Sequence, residues 1–205
     1  MAKVFDWKQF SSLIRKVLDF KTKTSYTYVN ADAWEEVLYF SLKKMGENPD
    51  WTLGSHAKGA DIKTKRFSVS AKSGQIGNGH LIISSYRLTR FKNITEMVNF
   101  IDDEINYDFY LSCARHSDSD GREYNVYKIP ATVFVAKGSK WAVLKSKSGK
   151  PSGYYCNSKN GVRAEIRAKM SNQLWLSIPL SLCEKILEVR YAQNEVGSEF
   201  DKIFM

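Results

Sequence analysis

Two residues of opposite charge stand eleven positions apart in the segment ADIKTKRFSVSAKSG, Ala60 to Gly74: Asp61 opens one short alternating run, and Lys72 lies in the next. The turn-forming stretch Lys63 to Arg66 separates them. If the runs pair as antiparallel strands, an acid and an amine so spaced reach one face and approach closely. A carboxylate is a hard oxygen ligand suited to Mg²⁺. A neighbouring ammonium can orient or polarise a water. Phosphodiester hydrolysis needs both, a cation against the scissile phosphate and a positioned nucleophile.

The elements that would hold this pair can be read on either side of it. Phe10, Leu13, Ile14, Val17 and Leu18 keep helical spacing between Phe5 and Phe20. Asn30 or Asp32 can cap a second helix that runs to Met45 and stops at Gly46. After Trp51, ADIKTKR, RFSVSAKSG and HLIISSYRL read as three strands of a meander. Ile94 to Ile105 reads as a third amphipathic helix. DFYLSCARH and REYNVYKIPATVFVA read as paired strands turned by SDSDG, LWLSIPL as a later strand, and Leu180 to Val189 as a last helix. The expected fold is α/β (α+β), a central mixed sheet flanked by helices. One domain is expected over 1–205, with a catalytic core in 1–135 and a basic elaboration of it in 136–205.

The 205 residues carry 31 Lys and Arg against 22 Asp and Glu, a formal charge of +9. Between Lys137 and Lys169 stand nine basic residues and one acid, Glu165, so this window alone holds +8. Tyr154, Tyr155, Asn157 and Asn160 are interleaved there. Such a segment is either a solvated basic loop or a surface for a polyanion, and its concentration favours nucleic acid.

The residues and their order resemble the PD-(D/E)XK nuclease superfamily, and type II restriction endonucleases in particular. The likeness lies in a helix carrying Glu35 and Glu36, then Gly59-Ala60-Asp61 on one strand, Ser70-Ala71-Lys72 on the next, and a further helix with two more strands. It implies a restriction-endonuclease-like core with Mg²⁺ as cofactor. By the resemblance, Asp61 and the Ala71 carbonyl ligate the metal, Lys72 activates or positions the attacking water, and Ser70 and Glu35 complete the site. One departure stands out: the family carries Asp or Glu where this chain has Ser70, and a neutral hydroxyl brings no charge to a cation. Glu35 is the preferred replacement. At 100° per residue it flanks the face shared by Trp34, Leu38, Ser41, Leu42 and Met45, whereas Glu36 points nearly opposite, beside Lys43. The plain alternative is that both are solvated helix residues.

Candidate DNA contacts follow from the same resemblance and from the charge. Ser55, His56 and Lys58 precede Asp61. Gln75 and Asn78 lie in the glycine-rich turn around Gly74, Gly77 and Gly79, with Arg87, Arg90 and Lys92 just beyond. Lys147, Asn157, Lys159, Asn160 and Arg163 lie in the basic window. Asn and Arg suit base edges, and Lys suits phosphates. Trp34, Trp141 and Trp175 sit in apolar patterns and are expected in the core. His80 and His116 receive no role.

Other classes find little support. Cys113, Cys156 and Cys183 form no CxxC and suggest neither a zinc ribbon nor a disulfide framework. No GxSxG or phosphate-cradling glycine motif occurs. No secretory leader or membrane span is expected, so the cytoplasm of a bacterial or archaeal cell is the expected location. The expected activity is Mg²⁺-dependent, sequence-specific hydrolysis of double-stranded DNA by a homodimer, paired in the cell with a cognate DNA methyltransferase. The alternatives are a structure-specific or repair nuclease of the same superfamily, and a non-catalytic DNA-binding protein on a degenerate nuclease fold.

Overall fold

A computed structural model describes residues 4–51, 60–103 and 105–204. Helix α1 (Trp7–Lys23) buries Phe10, Ile14 and Leu18 along one stripe, and Asp6 caps it by accepting a hydrogen bond from Gln9 N. Helix α2 (Ala31–Lys44) is capped by Asn30, whose Oδ1 accepts from Ala33 N at 2.9 Å. Gly46, at φ +81°, takes the left-handed conformation just beyond its end.

Among the described residues, eleven strands share one mixed sheet. They are β1 (Asp50–Trp51), β2 (Ile62–Lys63), β3 (Ser68–Gly77), β4 (His80–Arg87), β5 (Phe109–Asp118), β6 (Gly121–Pro130), β7 (Ala142–Lys145), β8 (Pro151–Asn157), β9 (Arg163–Arg167), β10 (Gln173–Pro179) and β11 (Glu184–Ala192). The order across the sheet is β11-β6-β5-β3-β4-β10-β9-β8-β7, with β2 attached to β3 and β1 to β2. The β3–β5 pair is parallel, and the other pairs are antiparallel. Helix α3 (Ile94–Asp103) lies between β4 and β5 in the chain.

Each sheet face has its own core. Helices α1 and α2 pack Phe10, Leu18, Trp34 and Leu38 against Val69, Leu111, Val126 and Val189. On the other face Met97 and Ile101 of α3 meet Leu81, Ile83, Tyr110 and Ile129, and the same cluster continues to Ile166 and Leu176. The fold is therefore a mixed α+β architecture built on one large sheet.

The expected last helix, Leu180 to Val189, is corrected. A short 3-10 turn (Leu180–Leu182) leads into strand β11, which pairs antiparallel with β6. Both periods fit this stretch, because Cys183 and Leu187 keep helical spacing while Leu187, Val189 and Tyr191 alternate. The second set is buried against β6 and the helices. Pairing with an open sheet edge thus overrides local pattern. The terminal helix is instead α4 (Ser198–Phe204). Residues 136–205 also flank the core at both ends: β7 to β10 extend the sheet from β4, and β11 closes the far edge on β6. No helix among the described residues is long and apolar enough to cross a membrane.

Candidate active site

The sheet opens at the position where Asp61 and Lys72 meet. One edge of β3 pairs with β5 from Val69 to Gly74. The other edge carries β2 at Ser68 and Val69, and β4 only from Gly74 to Gly77. Between them, Ser70 to Ser73 face a gap where the two partners splay. Asp61, just before β2, is anchored there by its own N–H, which donates to Val69 O at 2.9 Å.

Its carboxylate fills the gap. Oδ2 accepts from Ala71 N at 2.7 Å, from Ser70 Oγ at 2.9 Å and from Lys72 Nζ at 3.4 Å. The N–H and C=O of one strand residue point to the same edge, so the Ala71 carbonyl faces the gap as well. Ser70 is 2% exposed, while the Lys72 and Asp61 side chains are partly open. The 3.4 Å ion pair is longer than the roughly 2.7–2.9 Å of a tight charge-assisted bond. The ammonium therefore keeps donors for another anion or a water.

Glu35 lies within electrostatic range of Asp61 and Lys72, whereas Glu36 turns to Lys21. Trp51 of β1 packs tilted against the Tyr39 ring, with centroids 5.0 Å apart, and its Nε1 donates to Glu35 Oε2 at 3.1 Å. Burial pushes the Glu35 carboxyl above its ordinary range. The Trp51 bond opposes that shift, the Asp61 charge adds to it, and the Lys72 charge opposes it. Glu36 instead bonds Lys21 of α1, a partner different from the expected neighbour Lys43.

Asp61 and the Ala71 carbonyl at the gap, and Glu35 within electrostatic range of Asp61, offer only hard oxygen donors. Mg²⁺ is commonly held through one or two carboxylates, with water and substrate phosphate completing the shell, so these residues fit it. A cation would also relieve the mutual repulsion of Glu35 and Asp61. The set is lean, and no group of three or more His, Cys, Asp or Glu side chains disposed to hold a metal occurs among the described residues.

The expected DNA contacts divide by position. Ser55, His56 and Lys58 lie outside the described residues. Gln75 is exposed on β3, and Asn78 forms the β3–β4 turn at φ +50°. The register runs His80 to Pro179, Ser177 to Arg163 and Arg163 to Asn157, which puts the β3–β4 turn, Asn157, Lys159 and Asn160 toward one end of the strands. Arg87 pairs Gln173, which pairs Arg167, toward the opposite end. The β7–β8 turn carrying Lys147 lies toward that end too. Arg90 stacks over Phe91 and Phe100. Asn160 holds its own turn, accepting from Val162 N and donating to Val133 O. Its amide keeps one N–H beyond these bonds, and Asn160, Lys147 and Lys159 are all exposed.

Three further residues join Arg163 on one open face: Tyr155, Glu165 and Arg167, with Trp175 beside them. Trp175, expected in the core, is corrected to this face. Leu174, Leu176 and Ile178 take the buried phase of β10 and leave Trp175 on the other. The alternation of β10 carries that signal. Comparison with known protein families, curated proteins and solved structures finds no match to the chain.

Proposed function

We propose that the chain is a type II restriction endonuclease, hydrolysing phosphodiester bonds of double-stranded DNA at a short specific sequence with Mg²⁺. The observation that carries this reading is the convergence of Ser70 Oγ, Ala71 N and Lys72 Nζ on Asp61 Oδ2 in the sheet gap. Asp61 and the Ala71 carbonyl would hold the ion, with Glu35 directly or through water. When bound, Mg²⁺ draws charge off the scissile phosphate and stabilises the transition state. Lys72 positions the attacking water by donating to it while its own charge stays anchored beside Asp61. The water oxygen bonds phosphorus as the opposite P–O bond breaks, with inversion. The attacking water releases its proton to bulk solvent, and the leaving oxygen takes one from a solvent water. Ser70 and Ala71 N fix the Asp61 carboxylate so that it need not reorganise during the step.

A palindromic target would call for a homodimer, since protein and DNA would share a two-fold axis, and the cell would need a cognate DNA methyltransferase. Asp61→Ala and Lys72→Ala should each abolish Mg²⁺-dependent cleavage of plasmid and genomic DNA into discrete bands, while DNA binding persists. Cleavage at the parent's rate by either variant overturns the site.

One observation favours a second reading, a non-catalytic DNA-binding protein. Ser70 occupies the acid position, and Asp61 Oδ2 is already satisfied by three donors. Failure of the parent to cut any duplex with Mg²⁺ present, alongside intact binding, decides for the binder.

A further inference from the structure

On the open face of β9, three charged side chains form one built unit. Glu165 sits between Tyr155 of β8 and Trp175 of β10 in the register. Arg163 Nε donates to Glu165 Oε1 at 2.7 Å, and Arg167 Nε donates to Oε2 at 2.9 Å. One carboxylate thus fixes two guanidinium groups. Each also lies over an aromatic ring: Arg163 is 4.5 Å from the Tyr155 centroid, and Arg167 is 5.0 Å from that of Trp175. Burial pushes the Glu165 carboxyl up, but the two arginine bonds outweigh it and hold the group below its ordinary range. The intervening Ala164 and Ile166 are buried on the opposite face. Trp175 borders a cleft shared with Gln75, Ser84 and Arg115, and its Nε1 is buried with no hydrogen-bond partner among the described residues.

Resting on the DNA-directed function proposed above, we propose that Arg163 and Arg167 read guanine in the major groove of the bound duplex. Each arginine spends Nε on Glu165 and keeps its two terminal nitrogens as a planar fork. That fork matches guanine O6 and N7, two acceptors side by side, whereas cytosine presents a donor at the same edge. A phosphate site gains nothing from Glu165, which removes a positive charge from the surface where counterion release supplies affinity. Fixing two forks in defined planes serves geometry, and geometry is what base readout requires. The β9 strand lies three strand spacings from β3, roughly 14 Å across the sheet. Arg163 and Arg167 lie on the face that also carries Ser73 and Gln75, whereas Ser70 and Lys72 take the phase of Tyr110 on the other face.

The test is selection of bound duplexes from a randomised library by the full-length protein in EDTA, where Mg²⁺-dependent scission is off. The parent should enrich a motif with guanine at fixed positions. Arg163→Lys and Arg167→Lys should each relax one guanine position by roughly 5- to 150-fold in relative affinity, while affinity for random duplex changes less than threefold. Glu165→Gln, with both arginines retained, should blunt both positions, and melting curves establish that each variant is folded. A motif without fixed guanine, or equal weakening on every sequence, overturns the proposal. A protein that selects guanine but never cuts with Mg²⁺ defeats the nuclease reading alone. One that cuts without guanine preference defeats only the readout.

Discussion

Ser70 and Glu35 are the two side chains that set this site apart from a simple acid–lysine pair. The buried Ser70 hydroxyl supports an ionised acceptor, a bond worth about 1.5–3 kcal/mol when fully buried and less here because Asp61 is partly open. Ser70→Ala should therefore cost about 1–2 kcal/mol, a fall in Tm of roughly 3–6 °C at this chain length. Cleavage should slow by about tenfold without being lost, since Ala71 N and Lys72 still hold Asp61. Activity unchanged in Ser70→Ala would remove the hydroxyl from the site. Glu35 gives a pH signature. Its folded-state pKa is raised, chiefly by burial, so the ionised form costs stability above that raised value and the cost vanishes below the unfolded value near 4.5. Glu35→Gln should accordingly raise Tm at pH 8, and its advantage should shrink as pH falls and be gone below pH 4.5. Thermal melts across that range check the sign, and an advantage that grows on acidification contradicts it.

Strand β3 is the element on which the site depends, and Gly74 marks where its gap closes. A Cβ at Gly74 would lie 2.9 Å from Ser112 Oγ, 3.0 Å from Leu81 Cδ1 and 3.1 Å from Ile83 Cγ2. All three are side-chain atoms wedged between β4 and β5. Gly74→Ala should thus overpack the junction by about 1–3 kcal/mol and slow cleavage more than its stability loss explains, because β4 begins pairing there. Retained Tm with retained activity would show that the neighbours yield freely. Helices α1 to α3 and the β2–β3–β4 meander were legible because caps and periods are local: Asn30, Gly46 and the phase of Trp34 and Leu38 belong to single elements. The sheet gap was not legible, since it depends on where β2 stops and β4 starts against one edge of β3. Strand β11 escaped for the same reason, its partner β6 lying more than fifty residues away. The phase of β9 puts Arg163, Glu165 and Arg167 on one face, but only register brings Tyr155 and Trp175 to them.

Across the whole molecule, the charge of the basic window is carried by the β7–β8–β9 end of the sheet. The β7–β8 hairpin presents Lys145, Lys147 and Lys150 to solvent, and its turn is closed by Ser146 N donating to Lys150 O at 2.8 Å. Strand β7 stands five places from β3 in the sheet order, about 24 Å at ordinary strand spacing. Such lysines can neutralise phosphates but lie too far from Asp61 to take part in the proposed step there. Grip and chemistry should therefore separate in a measurement. Changing Lys145, Lys147 and Lys150 together to Gln removes three charges without burying anything. The slope of log affinity against log salt should become shallower by roughly 2 to 3, at about 0.9 per phosphate contact. Single-turnover cleavage at saturating DNA should change less than threefold, because the site is untouched. Fluorescence anisotropy from low to moderate salt, run beside those assays, resolves both quantities. An unchanged slope would take DNA off this edge, and a large loss of saturated rate would couple the hairpin to the site.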